Sequence, residues 1–373
     1  MIQKSNKSFM ILSALGILFV VDAHAWSPLG LMTNFFPYNS FFMPMFCFIS
    51  GYFFKPEKLR SFGPFILHKA KNLLLPFFIW NILYGILVTV LRSTGFITYG
   101  APISFYTLFI QPFLDCNMFQ FNFPAWFVPA LFLVILTYSL IRKVLLDFWN
   151  EVLMFFIFIL IGTACVYFSR IGYNTKPCFL PFLKVGFLIQ FYQLGRLFHT
   201  HLEKLYHKLP TLLVLILPIV INTILIYKTD DQIYFNDIAT MAGFLTQFDF
   251  LPLLTSITGI CFWLKISEIL VPIFGNNKIV NFVSNNTWTV MMHHMLFFNL
   301  YNLLLAISVK FSILHIPFDF SAIHATAWYR FEPVAACRVI YVIFGLCGPL
   351  IMKYFYDKVV SKLKSKYSRN GDL

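Results

Sequence analysis

Two ionisable residues, Asp22 and His24, lie near the end of the first long apolar segment, residues 9–26. An ionisable side chain at membrane depth costs about 2.5–3.5 kcal/mol on insertion scales, so such residues persist mainly where they have a role. Histidine, with an ordinary pKa of about 6.5, suits a general base. On a helix the two side chains point about 200° apart and do not pair. His24 is therefore a candidate catalytic residue, with a purely structural histidine as the alternative.

The same segment also fits a secretory signal peptide, and the residues alone leave that interpretation open. Lys4 and Lys7 would form its basic region, residues 9–21 its apolar region, and Ala23-His24-Ala25 its cleavage site. In that case His24 would be removed from the mature chain, and the remaining residues would carry the function.

Adjacent histidines, His293 and His294, form a second candidate site in the apolar segment 285–309. We expect them one to two helical turns into the bilayer, where two histidines are costly without partners or a water-filled cavity. This position favours a functional role. The alternative is a structural pair that forms hydrogen bonds between helices.

Two polar loops are candidate binding sites. The first precedes the third apolar segment and contains Lys55, Lys58, Arg60, His68, Lys69 and Lys71. Such cations suit phosphate groups, for example those of an acyl-CoA, and they also act as topology signals.

The second loop, residues 310–333, contains Asp319, His324, Trp328, Tyr329, Arg330 and Glu332. Aromatic rings beside an arginine and a carboxylate suit a sugar, and an interfacial aromatic belt is the alternative.

The composition places these residues in a membrane protein. Of the 373 residues, 59% are hydrophobic and only 12% are charged, whereas soluble domains contain about 25% charged residues. The formal net charge is +13, but the basic residues occur in short clusters between apolar segments, which is how membrane topology is encoded. This distribution excludes nucleic-acid binding.

Apolar runs of about 17–25 residues predict an all-α integral membrane protein with about ten transmembrane helices. The approximate spans are 8–27, 39–54, 73–92, 125–142, 151–169, 181–198, 209–227, 239–264, 285–309 and 335–356. No repeat or linker divides the chain, which predicts one domain, 1–373, with a basic tail from about residue 357. Most of the 28 Lys and Arg residues then fall on one side, so both termini are predicted to be cytoplasmic.

Several segments together resemble the acyltransferase-3 family of multispanning membrane acyltransferases. Residues 43–54, MPMFCFISGYFF, are similar to the family's second span, MPLFFFISGYFF. Residues 73–76, LLLP, resemble the RLLIPF start of its third span, and residues 124–132, PAWFVPALF, resemble its WFLPALF segment. The run Asn286–His294 resembles the late NTLxIMLLHH pattern.

The resemblance implies ten core helices, a cytosolic acyl-CoA donor and transfer to a hydroxyl of a glycan or glycolipid. By position, His24 matches the family's essential first-span histidine, which favours a retained first helix over a signal peptide. Ser13 stands where the family has Arg or Lys, and Asp22 where a small or apolar residue is usual. The family's R-x-x-R is only half matched by Lys69-Ala70-Lys71-Asn72.

We therefore predict an inner-membrane O-acetyltransferase that transfers an acetyl group from acetyl-CoA to a hydroxyl of a surface polysaccharide. The predicted catalytic residues are His24, His293, His294 and Asp22. The predicted donor-binding residues are Lys69, Lys71 and Asn72, and the predicted acceptor-binding residues are Trp126, Trp328 and Arg330. No metal-ligand spacing occurs, so no metal is predicted. The alternatives are a non-enzymatic glycan or lipid transporter and a family member that has lost its activity.

Overall fold

The computed structural model describes residues 2–115, 119–229, 238–243, 248–333 and 337–370, and its regular elements there are helical. The α-helices are α1 Ile2–His24, α2 Phe42–Tyr52, α3 Phe62–Ser93, α4 Gln111–Leu114, α5 Phe127–Val144, α6 Glu151–Arg170, α7 Leu180–Leu197, α8 Glu203–Lys208, α9 Thr211–Lys228, α10 Leu251–Phe274, α11 Lys278–Asn285, α12 Thr287–Lys310, α13 Phe320–Ala325 and α14 Arg338–Asn370. Short 3-10 and π-helical turns connect several of them.

Eight helical segments in the described part of the chain are long and apolar enough to cross a bilayer. They are Lys7–His24, Pro56–Ser93, Phe123–Val144, Glu151–Arg170, Thr211–Lys228, Leu251–Phe274, Thr287–Lys310 and Arg338–Lys362. The other two predicted spans are present as helices with different properties. Helix α2 has only 11 residues, and α7 has 18 residues, is buried along most of its length and contains two glutamines and two basic residues.

Three predicted spans have clearly different bounds in the structure. The tenth was predicted to end at residue 356, but α14 continues to Asn370. The third was predicted at 73–92, but α3 begins at Phe62, so the residues predicted to form a basic loop include the first three turns of this helix. The eighth was predicted at 239–264 with an interruption at Pro252. Helix α10 instead begins at Leu251, which places Pro252 in the first turn. Proline is accepted there because the first amide groups of a helix lack intrahelical partners.

The short helix α2 packs closely against α7 because a glycine of each helix lies against the backbone of the other. A Cβ atom added to Gly51 would lie 1.9 Å from the carbonyl oxygen of Tyr192, and one added to Gly195 would lie 2.0 Å from that of Phe48. Only glycine permits such a backbone approach. The glycine of the sequence segment Ile49–Tyr52 therefore serves helix packing.

Helix α1 occupies the centre of the bundle. It packs against α2, α10, α11, α12 and α14, and α12 packs in turn against α14. This arrangement brings the end of α1 beside the first third of α12. The two histidine segments, separated by about 270 residues in the sequence, therefore meet in one site.

Candidate active site

The site begins where α1 ends, and Asp22 organises the loop that follows. The Asp22 carboxylate is fully buried and accepts hydrogen bonds from the backbone amides of Leu29 and Gly30, at 3.0 and 3.3 Å. The backbone amide of Ser27 donates to the Asp22 carbonyl oxygen at 2.7 Å. The Asp22 side chain thus shapes the chain after the helix, and no hydrogen bond joins it to His24.

His24 pairs with His294, and this pair is the centre of the site. Nδ1 of His24 lies 2.9 Å from Nε2 of His294, and the ring centroids are 5.0 Å apart. His294 is fully buried, whereas His24 is half-buried and lines a cavity. The hydrogen bond therefore connects an accessible imidazole to one held inside the protein.

The hydrogen-bond network assigns the tautomer of both rings in their neutral form. Nδ1 of His294 lies 2.8 Å from the carbonyl oxygen of Val290, which only accepts, so this nitrogen carries the proton. Nε2 of His294 then has a lone pair and accepts a hydrogen bond from Nδ1 of His24. The lone pair of His24 is consequently on Nε2. This is the nitrogen that can act as a base.

Arg330 fixes the end of α1 by a hydrogen bond to its backbone. Its Nε donates to the carbonyl oxygen of His24 at 3.2 Å, and its Nη1 donates to the carbonyl oxygens of Ala327 and Tyr329, at 3.1 and 2.7 Å. The guanidinium lies 4.4 Å from the ring centroid of Phe298. Only 2% of Arg330 is exposed, and this burial lowers its pKa to about 9. The residue predicted to bind the acceptor thus clamps the backbone that carries His24.

A cavity of about 300 Å³, here called the histidine cavity, opens in front of His24. Its polar lining residues in the described part of the chain are His24 and Asn39, and its aromatic ones are Phe42, Phe123, Trp126 and Trp328. The Trp328 ring lies 5.7 Å from the His24 ring and 5.4 Å from the Phe123 ring, between centroids. The structure therefore brings both predicted tryptophans together with the predicted base.

His293 lies on another side of α12. Its Nδ1 is 2.7 Å from the hydroxyl oxygen of Tyr84, and its ring centroid is 4.3 Å from that of Trp80. Adjacent residues of an α-helix point about 100° apart, so only one of the two histidines can face His24. That residue is His294.

A second cavity, here called the basic cavity, lies between α2, the following turn and the start of α3. Its volume is about 560 Å³, and its basic lining residues are Lys55, Lys58, His68 and Lys69. Lys71 and Asn72 do not line it. Two positions along a helix correspond to about 200° of rotation, which separates Lys71 from Lys69. Nδ2 of Asn72 instead donates to Nε2 of His68, at 2.9 Å. Of the three predicted donor-binding residues, Lys69 lines the basic cavity, whereas Lys71 and Asn72 do not.

Further cavities follow one face of α1 from its basic end towards His24. Ser13 lines a cavity of about 600 Å³ together with Lys7 and Lys278. Ile17, one turn further, lines a cavity of about 160 Å³, and His24 lines the histidine cavity. Positions 13, 17 and 24 lie on one side of a helix. Ser13 and His24 are eleven residues apart, which corresponds to roughly 16 Å along the helix axis.

The fold and the site together define a multi-pass membrane protein with a histidine pair beside a cavity near one end of its central helix. Residues 7–352 of this chain match the family model described as an acyltransferase domain. The chain therefore belongs to the acyltransferase-3 family, which is a family of membrane acyltransferases. No curated protein and no solved structure matched the chain in the corresponding searches.

Several residues of the site were not predicted. Asn39 and Phe123 line the histidine cavity, and Ser50 and Tyr192 line the basic cavity. None of them carries a charge, and Ser50 was noted only as part of the family-like segment 43–54. Their position at the site depends on which face of a helix or turn meets the cavity. The acceptor for His294 is a backbone carbonyl, that of Val290, which side-chain patterns do not reveal.

Proposed function

We propose that this protein transfers an acetyl group from acetyl-CoA to a hydroxyl of a surface-glycan sugar. The observation that carries the proposal is the hydrogen-bonded pair of His24 and His294 beside a cavity with tryptophan walls. In this proposal the ten helical spans cross the inner (plasma) membrane with both termini in the cytoplasm. The basic cavity then faces the cytoplasm and the histidine cavity faces the outer side.

The chemistry assigns one role to each histidine. Nε2 of His24 accepts the proton of the acceptor hydroxyl while the hydroxyl oxygen attacks the thioester carbonyl carbon. The C–S bond then breaks, the acetyl group remains on the sugar oxygen, and the CoA sulfur leaves as a thiolate. This thiolate takes the proton from His24. The transient imidazolium of His24 keeps its Nδ1–H donated to His294, which stabilises the ring orientation throughout.

The cavities along α1 support a path for the donor in this proposal. The phosphates of acetyl-CoA would bind at the basic cavity, where Lys55, Lys58 and Lys69 supply cations. The arm that ends in the thioester would extend along the face of Ser13, Ile17 and Val20 towards His24. Because Ser13 stands where the family usually has Arg or Lys, this face of α1 lacks the side-chain charge found there in the family. Lys7 and Lys278 line the same cavity as Ser13 and supply positive charge there.

Deletion of the gene is expected to remove an acetyl-sized mass and the matching ring-proton shift from the host's surface polysaccharide. The measurement is mass spectrometry and NMR of the polysaccharide from the deletion strain, with and without the restored gene. Unchanged acetylation with an altered amount of exported glycan would contradict the proposal and favour a transporter. Wild-type acetylation and a wild-type amount of glycan would favour a family member without activity.

Lys69→Ala is expected to raise the dissociation constant for acetyl-CoA about tenfold, because charge-assisted hydrogen bonds contribute about 1.5–3 kcal/mol. Lys71→Ala is the matched control, since it removes the same charge from the same helix outside the basic cavity, and it should leave binding nearly unchanged. Both constants can be measured by titration of the purified protein in nanodiscs. Equal effects of the two substitutions would contradict this donor site, and absence of saturable binding would favour a transporter.

A further inference from the structure

The histidine cavity is lined mainly by apolar and aromatic side chains. Among its described lining residues none carries a charge, and its polar side chains are His24 and Asn39. Three aromatic rings line the cavity around them: Phe123 and Trp126 from the 3-10 turn before α5, and Trp328 from the loop after α12. The volume of about 300 Å³ is at the small end of the range for ligand pockets, which suits a single sugar ring.

Two cations contact residues of the cavity lining, and both are directed elsewhere. Arg330 is 2% exposed and donates to three backbone carbonyl oxygens, those of His24, Ala327 and Tyr329. Lys184 is also 2% exposed and lies over the ring of Trp126, 5.8 Å from its centroid. Neither residue lines the cavity. A carboxylate on a bound sugar would therefore meet tryptophan rings and no cationic partner in the described lining.

We infer that the acceptor is an uncharged pyranose whose apolar C–H face packs between Trp126 and Trp328. This inference rests on the proposed function, and it narrows the acceptor from any surface-glycan sugar to a neutral one. An unpaired carboxylate in such a cavity would lose hydration without compensation, whereas a neutral ring loses little. The rings of tryptophan supply apolar area with a fixed shape and so favour a flat apolar sugar face.

The test uses pairs of methyl glycosides that differ only at C6. Glucoside and glucuronide, galactoside and galacturonide, and mannoside and mannuronide would each be titrated against the full chain in nanodiscs and followed by saturation-transfer NMR. We expect the neutral member to bind at least about tenfold tighter in each pair that binds. A uronide that binds as tightly as its neutral partner, or failure of every neutral sugar to bind, would overturn the inference.

Variants locate the binding and separate it from transfer. Trp328→Leu is expected to remove the saturation-transfer signal, whereas Trp26→Leu, a matched change at a tryptophan that is 48% exposed outside the cavity, should keep it. Retained acetyl-CoA binding would show that the Trp328→Leu protein is folded.

A transfer experiment separates this inference from the proposed function: acetyl-CoA is added to the wild-type protein with each sugar. A neutral sugar that binds without being acetylated contradicts the proposed function alone, and a uronide acetylated as fast as its neutral partner contradicts this inference alone.

Discussion

His24→Ala is expected to lower the rate of acetyl transfer about 10²–10⁴-fold, the range for loss of a general base. The physical reason is that Nε2 of His24 carries the lone pair that would take the proton of the acceptor hydroxyl, while His294 Nε2 is already directed at His24. The KM for acetyl-CoA should stay near its wild-type value, because the basic cavity is distant along α1. The measurement is the release of CoA thiol by purified protein with a de-acetylated host polysaccharide.

The control for this substitution is chemical rescue. His24→Ala leaves a space at the edge of the histidine cavity, and added imidazole should enter it and restore part of the rate. Arg330 still clamps the backbone in this variant, since it bonds the carbonyl oxygen of residue 24 and not its side chain. A wild-type rate in correctly inserted His24→Ala protein would exclude His24 as the base.

Removal of the partner histidine is expected to have the second largest effect. His294→Leu should lower kcat about 10–100-fold, by analogy with the loss of an outer-shell group that orients a metal-bound histidine. His24 would then lack an acceptor for Nδ1–H, and its ring would no longer be held in the tautomer with the lone pair on Nε2. His294→Gln keeps an acceptor oxygen at this position and should retain more activity. Steady-state kinetics with both substrates would separate kcat from the two KM values.

His293→Leu is the matched control for this prediction. It makes the same change one position earlier on α12, where the side chain bonds Tyr84 and not His24. We expect near wild-type kcat and a loss of unfolding free energy of about 1 kcal/mol, the net contribution of one hydrogen bond. If His293→Leu lowered kcat as much as His294→Leu, or if His294→Gln were no more active than His294→Leu, the assignment of His294 as the positioning residue would be wrong.

The sequence predicted the membrane class, the family and most of the helices, because these depend on local properties. An apolar run of bilayer length requires no knowledge of its neighbours to be identified. Some predicted helix boundaries differed from those in the structure. Helix α3 begins at Phe62, inside the predicted basic loop, since a helix can continue beyond the apolar run with polar residues on its surface. Helix α7 carries polar residues because it is buried among other helices.

The candidate site was predictable as residue types and not as an arrangement. Histidine at membrane depth is costly enough to mark His24, His293 and His294 as candidates from sequence alone. The tertiary structure then selected His294 as the partner, since helix rotation turns His293 towards Tyr84. Helix rotation likewise places Lys69 at the basic cavity and turns Lys71, two positions later on α3, away from it.

Only the tertiary structure decided how the polar residues are used. Asp22 bonds the amides of its own loop, and Arg330 bonds the backbone at the end of α1, whereas both had been candidates for direct roles in catalysis or binding. The physical reason is that a buried charge must find hydrogen-bond partners. Backbone groups supply them, from the following loop for Asp22 and from both the end of α1 and its own loop for Arg330. The sequence determined which residues are costly to bury. The packing of α1 against α12 and against the loop residues 311–333 determined what each of them contacts.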